Sequence, residues 1–396
     1  MKRNPILRLL IMNAIYSLVA NFAHPVEPTF YQQLGLPDYI FGVAFASMAT
    51  AIFLFSPFWN KVADRIGPNR VLTLSYIGYG FGQLYFFFFS DSVADVVVAR
   101  LFAGAFIGGI SVSHILYILE NAENENKGSA LAAMATVNAI FSAFGYLVGG
   151  LLGDVSLKLC LGIEVAGLWL LSPLHFLLLK DVPRSGEETR PGQLLRDANP
   201  LKAFILPKKD LSRAFVLFLM VCMLTSFASV CYEQCFNYFI KDQYGFPPSY
   251  NGYLKGGVGI ITLIANSTIC RYLLNRTDIS RSTIYVLCIC VVMMTGIVLI
   301  NAVVPFIILN VVFFGFNAVY KPLLQSMLNG FSRKSESPVV GVYNSISNIG
   351  TIVGSLVSGF VYEVSPRGSF VYSTVAFILA AGCSSALAKT GETNTR

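Results

Sequence analysis

Hydrophobic positions along this chain fall into twelve long runs separated by polar gaps: residues 6–29, 38–60, 70–90, 93–118, 128–150, 156–180, 213–240, 249–271, 282–302, 303–330, 337–362 and 368–390. Each run is close to the ~20 apolar residues a helix needs to cross the hydrocarbon of a bilayer. Lipid offers no partner to backbone N–H and C=O groups, so such a run must satisfy them internally, as a helix. The predicted fold class is an all-α membrane protein with twelve transmembrane helices. The longest polar stretch, Lys180–Arg213, holds Pro183, Gly186, Pro191, Gly192, Pro200 and Pro207 and divides six runs from six more. The expected organisation is an N-terminal six-helix bundle (1–180), a cytoplasmic linker (181–212) and a C-terminal six-helix bundle (213–396). A 6+6 layout around a polar linker is that of transporters built from two parallel repeats.

Charge fixes the expected sidedness. Lys and Arg fall mostly in alternate gaps: Lys2, Arg3 and Arg8; Lys61, Arg65 and Arg70; Lys127; the central polar stretch; Arg271, Arg276 and Arg281; Arg333 and Lys334; Lys389 and Arg396. The other set of gaps holds only Lys158, Lys241, Lys255 and Arg367. Positive charge is retained on the cytoplasmic side, which places both termini inside. The net charge of +7 is thus a topology signal, dispersed over separate loops, and does not suggest nucleic-acid binding. Charged residues are only 12% of the chain, against about a quarter in a soluble protein. No cleavable signal peptide is expected, because the first apolar run continues through Ala23-His24-Pro25 as a helix-like segment. The eight cysteines lie mostly within apolar runs and read as small buried hydrophobes, neither a metal nor a disulfide framework.

A faint internal repeat accompanies the layout. Asn60–Arg70 and Arg271–Arg281, the loops after the second and eighth runs, are both short and basic and carry an Asp between basic residues. The first of them resembles the loop signature of the major facilitator superfamily, Gly-x-x-x-Asp-x-x-Gly-Arg-basic-basic. Asp64, Gly67 and Arg70 match, and Arg65 is common beside the Asp, while Asn60, Pro68 and Asn69 depart from the pattern. Arg100 with Leu101-Phe102-Ala103-Gly104 resembles the fourth-helix motif of that superfamily. Phe141–Gly150 resembles its fifth-helix antiporter motif through Gly145, Gly149 and Gly150, with Phe141 and Tyr146 replacing a Gly and a Pro. Pro25-Val26-Glu27-Pro28 and Leu34-Gly35-Leu36 resemble the drug:proton antiporter (multidrug efflux) branch. The resemblance implies alternating access and a cytoplasmic gate at Asp64, Arg65, Gly67 and Arg70. On physical grounds, Asp64 could accept hydrogen bonds from a neighbouring helix N-terminus.

Ionisable groups inside a membrane span are costly and mark function. Glu233 stands within the seventh run and is the first candidate for carrying protons. The branch often has an acid in this part of its seventh helix. Glu27 lies between Pro25 and Pro28 with His24 three residues before, a spacing that could pair them and carry a proton near neutral pH. Arg100 is the fourth candidate for proton coupling. Lys321, in Asn317-Ala318-Val319-Tyr320-Lys321-Pro322, could pair with Glu233 or hold an anionic substrate group. The branch often has an acid where Asn317 stands. Glu164 is isolated in the sixth run, His175 reads as interfacial, and Glu120, Glu123 and Glu125 read as a solvated cytoplasmic face. Aromatic residues on runs that line the cavity in this superfamily complete the expected substrate wall: Tyr31, Phe141, Tyr146, Tyr232, Phe236 and Tyr320, with Asn317 and Lys321.

No phosphate-binding loop, catalytic triad, cofactor motif or metal cluster is evident, and no enzyme activity is expected. The reading is a monomeric secondary transporter of the cell membrane, exporting an amphiphilic small molecule, a drug-like compound or lipid, against protons. An importer, or an exporter of a polar metabolite or metal-chelating compound, remains an alternative. So does, from another class, a lipid-modifying membrane enzyme or a transport-dead sensor, which clustered His and acid residues at one interface would favour.

Overall fold

Long apolar helices account for nearly all of the computed structural model, which describes residues 5–181, 199, 212–334 and 339–390. In chain order they are α1 (Pro5–Val19), α2 (Glu27–Gln33), α3 (Ile40–Ile66), α4 (Pro68–Phe89), α5 (Val93–Asn121), α6 (Lys127–Val155) and α7 (Leu157–Leu178). Then come α8 (Arg213–Asp242), α9 (Pro248–Arg276), α10 (Ile279–Leu299), α11 (Val303–Lys334), α12 (Val339–Val364) and α13 (Gly368–Lys389). Ten of these are long and apolar enough to cross a membrane. Of the expected linker, only Asp181, Asn199 and Ser212 lie among the described residues. The basic residues expected at the extreme termini, Lys2, Arg3 and Arg396, lie outside them too.

One expected element is corrected. Residues 6–29 do not form a single helix: α1 stops at Val19 and α2 begins at Glu27, with Pro28 in its first turn. Proline lacks an N–H and its ring clashes with the carbonyl four residues back, and two prolines three residues apart, Pro25 and Pro28, favour a break with the next helix starting at Glu27. A second irregularity is the π-turn Asn266–Cys270 within α9.

The described residues fall into two separately packed units. Unit 1 comprises 5–36, 47–181 and 240–256; unit 2 comprises 37–46, 212–239, 257–334 and 339–390. In unit 1, α4 packs on α5 and α7, and α1 packs on α6. Its core includes Leu9, Met12, Leu72, Tyr76, Ile110, Tyr117 and Leu168. In unit 2, α10 packs on α11 and α13.

Glycines set the closest approaches, and they do so alike in both units. A Cβ at Gly145 or Gly149 of α6 would fall on the carbonyls of Leu18 and Phe22 in unit 1. A Cβ at Gly350 or Gly354 of α12 would fall on the carbonyls of Met223 and Phe227 in unit 2. The offsets are constant: 223 − 18, 227 − 22, 350 − 145 and 354 − 149 all equal 205. Without a hydrophobic drive between helices in lipid, small residues that let backbones touch supply the association. The repeat that loop sequences only hinted at is therefore written in the helix seams.

Gly149→Ala should push α6 away from α1 and lower stability in detergent by about 1–3 kcal/mol, the scale of overpacking. Gly162→Ala, where an added methyl meets no atom within 4 Å, should leave the unfolding temperature unchanged or raise it. Equal effects of the two substitutions in a thermal unfolding assay would sink this account of the seam.

Candidate functional site

The break between α1 and α2 puts Glu27 in the first turn of α2, where the positive end of the helix dipole favours a carboxylate. Arg100, about two turns into α5, reaches it: Nη2 lies 2.7 Å from Glu27 Oε1. His24 Nδ1 approaches the same oxygen at 3.3 Å. Arg100 is 2% exposed, and everything around it answers its charge. Nη1 donates to Gln83 Oε1 at 3.3 Å, Nη2 donates to the Tyr31 hydroxyl at 3.4 Å, and the guanidinium lies 3.8 Å from the Phe86 ring centroid. Asp95, earlier on α5, does not join this cluster. It closes a capping box with Ser92 at the start of the helix.

The cluster continues to Glu164 on α7, which is fully buried. Its Oε1 accepts from Gln83 Nε2 at 2.6 Å and from the Tyr79 hydroxyl at 3.4 Å. Glu164 looked isolated in the sequence because its partners come from α4. Clustering of His and acid residues, expected to be absent, is therefore present around His24, Glu27 and Glu164. Among the described residues no group of three or more His, Cys, Asp or Glu could hold a metal ion.

A cavity of about 410 Å³ opens beside this cluster inside unit 1. His24 and Tyr79 belong to both. One wall is polar and uncharged: Asn13, Ser17, Asn21, Asn138 and Ser142, with Tyr16, Ser111 and His114. Asn138 Oδ1 accepts from Asn13 Nδ2 at 2.6 Å and from Ser17 Oγ at 2.7 Å, and Asn21 Nδ2 donates to Ser142 Oγ at 3.0 Å. The opposite character comes from Met48, Ile52, Ile107, Ile110, Ile115 and Met134. Such a site suits a molecule with both polar and apolar faces. Asn13 and Asn138 were not singled out in the sequence; carboxamides inside apolar runs were the available signal.

The other expected residues are placed as follows. Tyr146 and Phe141 on α6 are half-buried. Tyr146 stacks on His24 with centroids 5.5 Å apart, and Lys255 Nζ lies 5.7 Å from its ring. Lys255, counted with the loop cations from sequence, is 8% exposed on α9. Tyr232, Phe236, Tyr320 and Asn317 are buried within unit 2 and do not form an open wall. Tyr232 packs among Phe313, Phe314 and Phe370, and its hydroxyl donates to Asn310. Tyr320 shares a hydrogen bond of 2.5 Å with Ser229, which also donates to Asn317 at 2.8 Å. With Tyr320 turned inward, Lys321 points about 100° round the helix. It is exposed on α11. Glu233 is half-buried on α8.

The loop at the end of α3 also differs from expectation. Asp64 is exposed. The N-terminus of α4 is capped instead by Asp181, whose Oδ1 and Oδ2 accept from the backbone N–H groups of Asn69 (2.7 Å) and Arg70 (3.3 Å). Gly67 adopts φ +95°, open only to glycine without strain, and a Cβ there would strike the Asp181 carboxylate. Arg65 is half-buried and Arg70 exposed. His175, expected at an interface, is fully buried against Tyr76 with centroids 4.7 Å apart. His114 Nε2 lies 3.1 Å from the Tyr76 hydroxyl.

Removing one partner of a buried ion pair leaves the other charge unanswered. Arg100→Leu should destabilise the protein by about 3 kcal/mol, and adding Glu27→Gln should recover most of the loss. Thermal unfolding in detergent of both variants checks this; no recovery in the double variant would mean that Arg100 matters for its packing on Phe86 alone.

The sequence matches the Major Facilitator Superfamily over residues 9–326. It is 22% identical over 387 residues to multidrug resistance protein 1 of Bacillus subtilis (strain 168), covering 94% of each chain. It is 20% identical over 348 residues to the quinolone resistance protein NorA of Staphylococcus aureus, covering 86% of this chain and 85% of that one. Among solved structures, a bacterial homolog of the human lysosomal transporter Spinster, inward-facing and unoccupied, aligns with a TM-score of 0.76 at 14% identity over 98% of each chain. The nucleoside transporter NupG aligns with a TM-score of 0.72 at 16% identity over 99% of this chain and 100% of that one. The fold, the helix seams and the match over most of the sequence agree: the chain belongs to the major facilitator superfamily and is a non-enzymatic membrane transporter.

Proposed function

We propose that the protein is a secondary active transporter that exports an amphiphilic small molecule, a drug-like compound or lipid, in exchange for protons. The observation that carries this reading is the Glu27–Arg100 ion pair, linked through His24 to a cavity with one polar and one apolar wall. A carboxylate held by a single buried guanidinium has two stable states. Ionised, it closes on Arg100; protonated, it lets go. A substrate in the cavity touches His24 and Tyr79, and through them biases which state persists. That is the differential interaction any coupled exchange needs. The names of the relatives, a multidrug and a quinolone resistance protein, support export of drug-like compounds.

In this reading the chain folds as two six-helix halves joined by the 181–212 linker. It acts as a monomer in the cell membrane with both termini cytoplasmic, a sidedness supported by the distribution of Lys and Arg. Glu233 and Lys321 belong to the other half, and their part is to tune substrate charge. Asp64, Arg65 and Arg70 belong to the cytoplasmic gate, with Asp181 holding the start of α4.

A second reading, transport of a polar metabolite in either direction, is favoured by the carboxamides of Asn13, Asn21 and Asn138 on the cavity wall. Purified protein in liposomes with an imposed pH gradient, offered lipophilic compounds, lipids and polar metabolites, separates the two readings. Glu27→Gln should abolish gradient-driven accumulation while leaving substrate exchange without a gradient intact. Full accumulation by this variant would remove Glu27 from the coupling step.

A further inference from the structure

Glu164 is the buried acid that this reading leaves without a task. Its side chain is 0% exposed, and no Lys, Arg or His forms an ion pair with it among the described residues. Oε1 has its two donors, Gln83 and Tyr79, but Oε2 has no hydrogen-bond partner. A buried carboxylate with no cation is far costlier than a neutral acid, and the surroundings of this carboxyl favour its neutral form. The titratable groups around it are Tyr16 on α1, His24 and Glu27 at α2, Tyr79 on α4, Arg100 on α5 and Cys160 one turn away on α7.

Gln83 joins the two acids in a definite sense. A guanidinium can only donate, so the amide must turn its oxygen to Arg100 and its NH₂ to Glu164. Arg100 is thus answered by an ionised acid on one side and linked to a neutral acid on the other. Arg100 is one cation facing two carboxyl groups, and these three side chains together are uncharged only when one of the two acids is protonated. We propose that Glu27 and Glu164 share one proton across the Arg100–Gln83 bridge, so that protonation of one accompanies ionisation of the other. One proton enters as one leaves: Glu27 takes up a proton from the cavity side and releases Arg100, while Glu164 gives up its own proton and its carboxylate answers the guanidinium through Gln83. The proton leaves past the Tyr79 hydroxyl, which lies 3.4 Å from Oε1 and lines the cavity. The net charge of the three groups stays at zero throughout.

This proposal rests on reading Glu27 and Arg100 as the coupling pair, but its test needs no transport. Infrared difference spectra of the purified protein at neutral pH report the carbonyl stretch of neutral carboxylic acids. Glu164→Gln should remove one such band. Glu27→Gln should remove the same band, because Arg100, having lost its counter-charge, draws Glu164 into ionisation. Glu27→Gln with Arg100→Leu should bring the band back. Persistence of the band in Glu164→Gln, or in Glu27→Gln, overturns the sharing of a proton. The Glu27→Gln arm reads Glu164 without altering it, so a poorly folding Glu164→Gln protein does not spoil the test. A protein that shows the expected spectra yet accumulates no substrate in response to an imposed pH gradient would refute the coupling role and leave the shared proton standing.

Discussion

A guanidinium buried in an apolar helix bundle cannot be left unanswered, and the surroundings of Arg100 are organised by that demand. Its charge is met where the first span is broken: α2 restarts after the break with Glu27 in its first turn, within reach of Arg100. It explains the orientation of the Gln83 amide and the inward hydroxyl of Tyr31. It also explains why Phe86 presents a ring face in place of an aliphatic side chain. Each of these residues looks ordinary alone, and together they enclose a single positive charge on all sides.

The frame that holds this arrangement is made of backbone touching backbone. In both units a helix with two glycines four apart lies directly on backbone carbonyls of a neighbouring segment, at a constant sequence offset. Such seams are stiff, since neither side has a flexible side chain to yield. The cluster around Arg100 belongs to unit 1. Inside unit 2, aromatic packing brings together Tyr232, Phe236, Phe313 and Phe370. The two repeats have kept a common skeleton and diverged in what it encloses.

Helices, their number and the superfamily were legible in the sequence, because a run of apolar residues in lipid has few structural options. His24, Glu27 and Arg100 were legible as candidates because ionisable residues are rare in such runs. Two kinds of information were not. The first is helix phase: α8 and α11 carry apolar residues on every face with polar ones scattered among them, so their pattern does not say that Tyr232 and Tyr320 face the core while Lys321 faces out. The second is long-range partnership. Glu164 meets Gln83, 81 residues earlier, and Asp181 meets Asn69, 112 residues earlier. Asp64, close in sequence to the start of α4, looked the better cap, and only the path of the chain after α7 brings Asp181 there.

The π-turn at Asn266–Cys270 in α9 has a consequence for how this chain compares with its relatives. A turn of this kind holds one residue more than an α-turn without disturbing the helix on either side. Chain length and helical phase are uncoupled there. Elsewhere in a span, a single inserted residue would rotate everything beyond it by about 100° and turn its buried face outward. A one-residue gap between this protein and a homologue in the eighth span therefore belongs at 266–270, inside the membrane, and not in the nearest loop where alignment by hydropathy would put it.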